Sequence, residues 1–208
     1  MTEETLHFAP ILRTERLTLT LIDFNKQSDE ETFTAMLKPM VGHLLDLTDE
    51  EATQNAQASL DFYRSHDSRI QPAILRGRKP DQPAVWLVRL GADSPHGECI
   101  GTVYVVQRSL VPDQSWILSP EHRGRGYATE AAGEVLRYFR DDLGLRDMMA
   151  IVHPDSPKSP RVAGRLGYVP VEGGVMYEDG VTRLLLFVLP SARPLPKNLV
   201  FRRFGGSE

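Results

Sequence analysis

The chain has 208 residues and a formal charge of −4, from 24 Lys and Arg against 28 Asp and Glu. At about 150 residues per domain this is one domain, long enough to bury a layered core without staples. The acidic balance excludes a nucleic-acid binder held by counterion release, and no apolar run approaches the ~18 residues that span a membrane. The single Cys99 can form no internal disulfide and no cysteine metal site. The opening Met1-Thr2-Glu3-Glu4 is acidic and lacks an apolar signal core. These features suit a reducing, cytoplasmic protein with neither a membrane nor a nucleic acid as partner and with no metal.

In chain order, Leu17, Leu19 and Leu21 alternate with Thr18, Thr20 and Ile22, a period of two that predicts a first strand. Residues 28–66 carry few Gly or Pro and read as two helices, with Pro39 and Gly42 as the breaks. Gly77, Pro80 and Pro83 mark a loop. Ala84 to Leu90 and Cys99 to Val106 read as a hairpin joined through residues 91–97. Ser115 to Leu118 is a short strand that stops at Ser119-Pro120.

Ala128, Ala131, Ala132, Val135, Leu136 and Phe139 then fall on one stripe of an amphipathic helix, which ends near Gly144. Met148 to Val152 is an apolar strand, and Ser159 to Leu166 a short helix closed by Gly167. Residues 168–177 and 181–189 read as closing strands around Glu178-Asp179-Gly180. The Pro-rich tail, 191–208, reads as an extended arm, with the domain in 1–190. The sum is an α/β (α+β) single domain with a mixed sheet of six to seven strands and about four helices.

The most informative stretch is Arg123-Gly124-Arg125-Gly126-Tyr127-Ala128-Thr129, between a strand and the amphipathic helix. A helix start offers unpaired N–H groups and the positive end of the dipole. Gly124 and Gly126 clear side chains from that backbone, Arg123 and Arg125 add positive charge, and Thr129 adds a hydroxyl. Together they form a pyrophosphate cradle. It is not a Walker loop, since Tyr127 and Ala128 replace Lys and Ser/Thr, and it is not a dinucleotide fingerprint, since Thr129 replaces the third Gly. The same pattern also arises as a tight turn with solvent-facing arginines.

The flanks resemble the GNAT acetyltransferase superfamily. Arg123 to Ala128 fits its Gln/Arg-x-x-Gly-x-Gly/Ala acyl-CoA motif. Trp116-Ile117-Leu118-Ser119-Pro120-Glu121-His122, Tyr127 to Ala131, His153-Pro154-Asp155-Ser156 and Arg161 through Leu166-Gly167-Tyr168 resemble the ribosomal-protein N-terminal (Rim-type) branch. So do Leu12 to Leu19 and Gly97-Glu98-Cys99-Ile100-Gly101-Thr102. The resemblance covers about residues 11 to 189.

The resemblance implies a mostly antiparallel sheet with a splayed central strand pair. It implies acetyl transfer from acetyl-CoA to a primary amine by direct attack in a ternary complex, the acceptor being a small molecule or a peptide N-terminus. Trp116, Ile117 and Leu118 would pair with the pantetheine arm, residues 123–129 would hold the pyrophosphate, and Ser156 and Ser159 would also contact the cofactor. Ser156 stands where the family usually has Asn, and Ala163 where many members have a Tyr acid. Ser159 matches a Ser of the Rim-type branch and is the candidate acid; it also reads as a helix cap beside Pro160. Asp113 matches a Glu often found in the preceding strand and is the candidate base; it also reads as a polar hairpin residue after Pro112. Glu98, His122 and His153 read first as turn or cap residues, and Cys99 as packing. Another acyl-CoA chemistry, or a non-catalytic acyl-CoA sensor, fits the same turn. The chain is expected to be a monomer or homodimer.

Overall fold

A computed structural model of the chain describes residues 4–65, 69–109, 111–172, 175–177, 183–190 and 200–201. The chain begins with short strands β1 (Thr5–Leu6) and β2 (Ile11–Arg13), then β3 (Leu17–Leu21). Two helices follow, α1 (Gln27–Leu44) and α2 (Asp49–Arg64). Next come β4 (Lys79–Pro80), β5 (Ala84–Leu90), β6 (Cys99–Val106) and β7 (Asp113–Leu118). A single 3-10 turn at Pro120–His122 leads into α3 (Tyr127–Arg137), which loosens into a π-helical turn at Tyr138–Asp142. The rest is β8 (Met149–Val152), α4 (Ser159–Arg165), β9 (Val169–Pro170), β10 (Val175–Tyr177), β11 (Arg183–Val188) and β12 (Val200–Phe201).

The main sheet has ten strands, in the order β12-β10-β11-β8-β7-β6-β5-β3-β2, with β9 also pairing to β11. It is antiparallel except where β7 meets β8 and β10 meets β12. The sheet exceeds the expected six to seven strands because the ends of the chain add very short ones. The closing strand expected over 168–177 is divided into β9 and β10, both against β11. The turn at Glu178-Asp179-Gly180 lies outside the described residues. From the expected tail, Val200–Phe201 joins the sheet beside β10; the rest of 191–208 lies outside the described residues.

Helices cover both faces, which is why β5 and β6 read as apolar runs rather than alternations. On one face Phe33 and Leu37 of α1 and Ala56, Leu60 and Tyr63 of α2 pack on Val85, Leu87, Tyr104 and Ile117. On the other, Ala131, Ala132, Val135, Leu136 and Phe139 pack on Trp86, Val88, Ile100 and Val103. The stripe read from the sequence is therefore the buried face of α3. Thr18 breaks the alternation of β3. It is fully buried, and its hydroxyl donates to the Gly91 carbonyl and accepts from the Ser94 N–H.

Pro39 and Gly42 do not break the first helical segment. Both lie inside α1, because Phe33, Leu37 and Val41 recur every four residues and anchor its face in the core. The break falls at Leu45–Thr48. There Thr48 and Glu51 form a reciprocal capping box that starts α2.

Candidate active site

β7 is held on one side by β6 along its whole length, from Asp113 opposite Val106 to Leu118 opposite Gly101. On the other side it pairs with β8 only at Asp113 and Gln114. Beyond Gln114 the two parallel strands part. The Ser119 N–H donates to the Ile100 carbonyl at 2.9 Å, which sets the phase of the β6 ladder. Alternation then turns Ser115 and Ile117 toward β6, and turns the backbone N–H and C=O of Trp116 and Leu118 toward the opening. Consistent with this phase, the Leu118 carbonyl accepts from Arg123 Nε at 3.0 Å.

Gln114 is fully buried; its amide donates to the Ala132 carbonyl of α3 at 2.8 Å and accepts from the Tyr168 hydroxyl at 3.0 Å. Burial pushes the Tyr168 hydroxyl pKa well up, so it stays a donor. Gly101 faces the end of β7, where a Cβ would overlap the Ile117 carbonyl oxygen. Only glycine allows that approach.

The strand runs through the 3-10 turn into α3. Gly126 is the residue before α3, at φ +85°, and Gly124 stands at φ +82°. Both are in the left-handed region that costs other residues most. No side chain caps α3. Its first N–H groups thus face outward at the positive end of the helix dipole.

The opening between β7 and β8 and the start of α3 share one cleft of about 760 Å³. Trp116, Ile117, Leu118, Arg123, Gly124, Gly126, Tyr127, Ala128, Thr129, Ser156 and Ser159 all line it. Arg125 is the exception among the expected cofactor residues. It is exposed, and its carbonyl accepts from Arg16 Nη1 at 3.1 Å. Around the α3 end the wall carries Arg123, Lys158, Arg161 and Arg165, with Asp155 the one carboxylate there among the described residues. Toward α1 and α2 it is largely apolar, with Leu37, Met40, Tyr63 and Tyr104. The Tyr63 and Tyr104 rings meet edge to face at 5.0 Å, and burial pushes the Tyr63 pKa well up.

The expected catalytic pair is split. Ser159 lies on the cleft wall, and its hydroxyl shares a hydrogen bond of 2.7 Å with that of Ser156. It caps no helix: α4 begins with no side-chain cap bond, and Ser159 is its first residue. Asp113 is fully buried and does not line the cleft. Arg108 grips both of its carboxylate oxygens, Nε at 3.0 Å and Nη2 closer still. A carboxylate so placed holds Arg108, which does line the cleft, and is out of reach of an acceptor.

His122 is buried and bonded to the Ser119 hydroxyl at 2.9 Å; the Trp86 indole donates to the Ala9 carbonyl. Burial raises the Cys99 thiol pKa, and its Sγ sits 3.4 Å from the Gly101 carbonyl, so it packs rather than attacks. His153 lines the cleft, with Nδ1 3.3 Å from the Asp155 N–H.

Three residues beside the turn were legible only in outline. Thr14 and Arg16, after β2, clasp Glu130 of α3. Each lies in a stretch that carries the family resemblance, but nothing local in the sequence joins residues more than a hundred positions apart.

The acetyltransferase (GNAT) domain family matches residues 16–169, well over half of the chain. The chain belongs to the GNAT acetyltransferase family. Acetyl-CoA is the acetyl donor of that family. An uncharacterized N-acetyltransferase of Bacillus subtilis, YnaD, is 33% identical over 52 residues, 25% of this chain and 31% of the relative. The match therefore spans about a third of the length of this curated relative. An acetyltransferase from Agrobacterium tumefaciens is similar in fold, with a TM-score of 0.60, 24% identity, and coverage of 89% of this chain and 97% of that one. A ribosomal-protein alanine acetyltransferase from Vibrio fischeri is also similar, with a TM-score of 0.54, 18% identity, and coverage of 88% and 99%. This GNAT chain has no helix among its described residues long and apolar enough to cross a membrane.

Proposed function

We propose that this protein transfers the acetyl group of acetyl-CoA to a primary amine, on a small molecule or a peptide N-terminus, by direct attack in a ternary complex in the cytoplasm. The observation that carries the reading is the single cleft that joins the parting of β7 and β8 to the uncapped start of α3. One end offers backbone groups to an extended amide-bearing arm. The other offers N–H groups and arginines to a pyrophosphate.

When bound, acetyl-CoA supplies an activated acetyl thioester. The chain's part is to bind, orient and polarise. The N–H groups of residues 124–129, with Arg123, hold the pyrophosphate. The Trp116 and Leu118 backbone aligns the pantetheine arm, and an N–H at the parting point polarises the thioester carbonyl. The Ser156–Ser159 hydroxyl pair places a donor on the wall for the departing sulfur, with Ser159 the proton donor. Asp113 keeps Arg108 in place, and the acceptor amine gives its proton to solvent. The apolar wall of α1 and α2 receives the acceptor.

Calorimetric titration with acetyl-CoA, with free CoA and ATP as controls, tests the reading. Micromolar binding of acetyl-CoA with ATP inert, followed by thiol release with an amine acceptor, is expected. No binding of acetyl-CoA would overturn the assignment. Binding without thiol release on any amine would leave only an acyl-CoA sensor.

A further inference from the structure

Two features at the start of α3 pull against each other. The uncapped N–H groups favour an anion, yet Glu130 puts a carboxylate in the same first turn. A negative charge there weakens the field that a pyrophosphate needs. Its surroundings answer it. Oε1 accepts from the Thr14 hydroxyl at 2.5 Å and from the Arg16 N–H at 2.9 Å. Oε2 accepts from Arg16 Nε at 2.8 Å and forms an ion pair with Nη2 at 2.5 Å. Burial opposes ionisation of this carboxyl, but the bonds from Thr14 and Arg16 prevail and hold its pKa below the ordinary value.

The same guanidinium touches the turn at Arg125 and at Tyr127 and passes beside Gly126. Nη1 donates to the Arg125 carbonyl at 3.1 Å. Nη2 would lie 3.4 Å from a Cβ at Gly126. The guanidinium carbon stands 4.7 Å from the centre of the Tyr127 ring. One side chain, more than a hundred positions away in sequence, thus meets both the turn and the one carboxylate in its first turn.

We infer that Arg16 is a positioning residue that sets the affinity for the pyrophosphate of acyl-CoA, by neutralising Glu130 and by holding residues 125–127 in the cradle conformation. This rests on the assignment of the cleft to acyl-CoA. Arg16 is no catalytic residue, because it acts through Glu130 and the turn.

The test is calorimetric affinity of the full chain for acetyl-CoA and for acetyl-pantetheine, which has the arm but no pyrophosphate. Arg16→Ala is expected to weaken acetyl-CoA by about tenfold and to leave acetyl-pantetheine unchanged. Arg16→Lys, which keeps charge but not the planar fork, falls between. Arg16→Ala with Glu130→Gln recovers most of the loss, because the uncancelled carboxylate is gone. Glu130→Gln alone, whose amide oxygen still accepts from Thr14, binds acetyl-CoA as well as the parent or better; it also serves if Arg16→Ala does not fold. Equal losses for both ligands, or a Glu130→Gln variant weaker than the parent, would overturn the inference and leave only a structural clasp. A parent that binds no acetyl-CoA would overturn the acyl-CoA reading itself.

Discussion

The two halves of the cleft are built from different materials. At the α3 end the groups on offer are mainly backbone: the N–H groups after Gly124 and Gly126 and the edge of β7 past Gln114. At the α1–α2 end they are side chains, Leu37, Met40, Tyr63 and Tyr104, brought from three separate elements. Backbone recognition needs a conformation, and conformation is written in short local patterns such as two glycines at positive φ before a helix. Side-chain recognition needs a tertiary neighbourhood. The donor end is accordingly the part whose chemistry follows from a motif, and the acceptor end sets what the protein acts on.

The sharpest way to break this contrast is to place one charge at each end. Gly126→Glu puts a carboxylate in the cradle and a side chain at φ +85°. It is expected to weaken acetyl-CoA more than a hundredfold by calorimetry, while the left-handed backbone costs about 1–2 kcal/mol of stability by urea unfolding. Met40→Glu sits on the half-buried acceptor wall. It is expected to change acceptor KM by tenfold or more and to leave acetyl-CoA affinity within about twofold. If the two variants move the same parameter, the halves are not separate. Arg108→Ala sharpens the contrast from below. It leaves the fully buried Asp113 carboxylate without its ion-pair partner, and a broken buried pair costs about 3–5 kcal/mol. Urea unfolding reads that loss, and a stability unchanged by the substitution would remove the supporting role given to Asp113.

The same distinction explains what the sequence disclosed. The α3 stripe, the β5–β6 hairpin and the glycine turn rest on local periodicity and backbone propensity, and each stands where the pattern put it. The helix break was misplaced, because Pro39 is a strong local signal that the packing of Phe33, Leu37 and Val41 overrides. The true start of α2, Thr48-x-x-Glu51, was present as a capping box beside it. Ser159 and Asp113 each fitted two readings, and only the tertiary surroundings separate them: one hydroxyl that caps no helix, on the cleft wall, and one carboxylate sealed under Arg108. The clasp of Arg16 on Glu130 joins positions 114 residues apart, beyond the reach of any window.

That clasp also carries the smallest effect, a pH dependence. Glu130 has a folded pKa below its ordinary 4.5, so its contribution to stability is present above that pH. It is lost as pH falls through the folded pKa, when the carboxyl takes up a proton and the ion pair with Arg16 goes. The half-exposed Arg16 keeps the effect modest, at most about 1 kcal/mol. Urea midpoints of the parent and Glu130→Gln should therefore differ by a constant amount above pH 4.5, and the gap should close as the pH falls below 4.5 and through the lowered folded pKa. Acetyl-CoA affinity should respond in the opposite sense, because neutral Glu130 no longer opposes the phosphates. A gap that persists unchanged at low pH would mean that the Thr14 and Arg16 bonds hold an uncharged side chain as well as a charged one. The clasp would then join the segment before β3 to α3 by shape alone, with no bearing on the field at the start of α3.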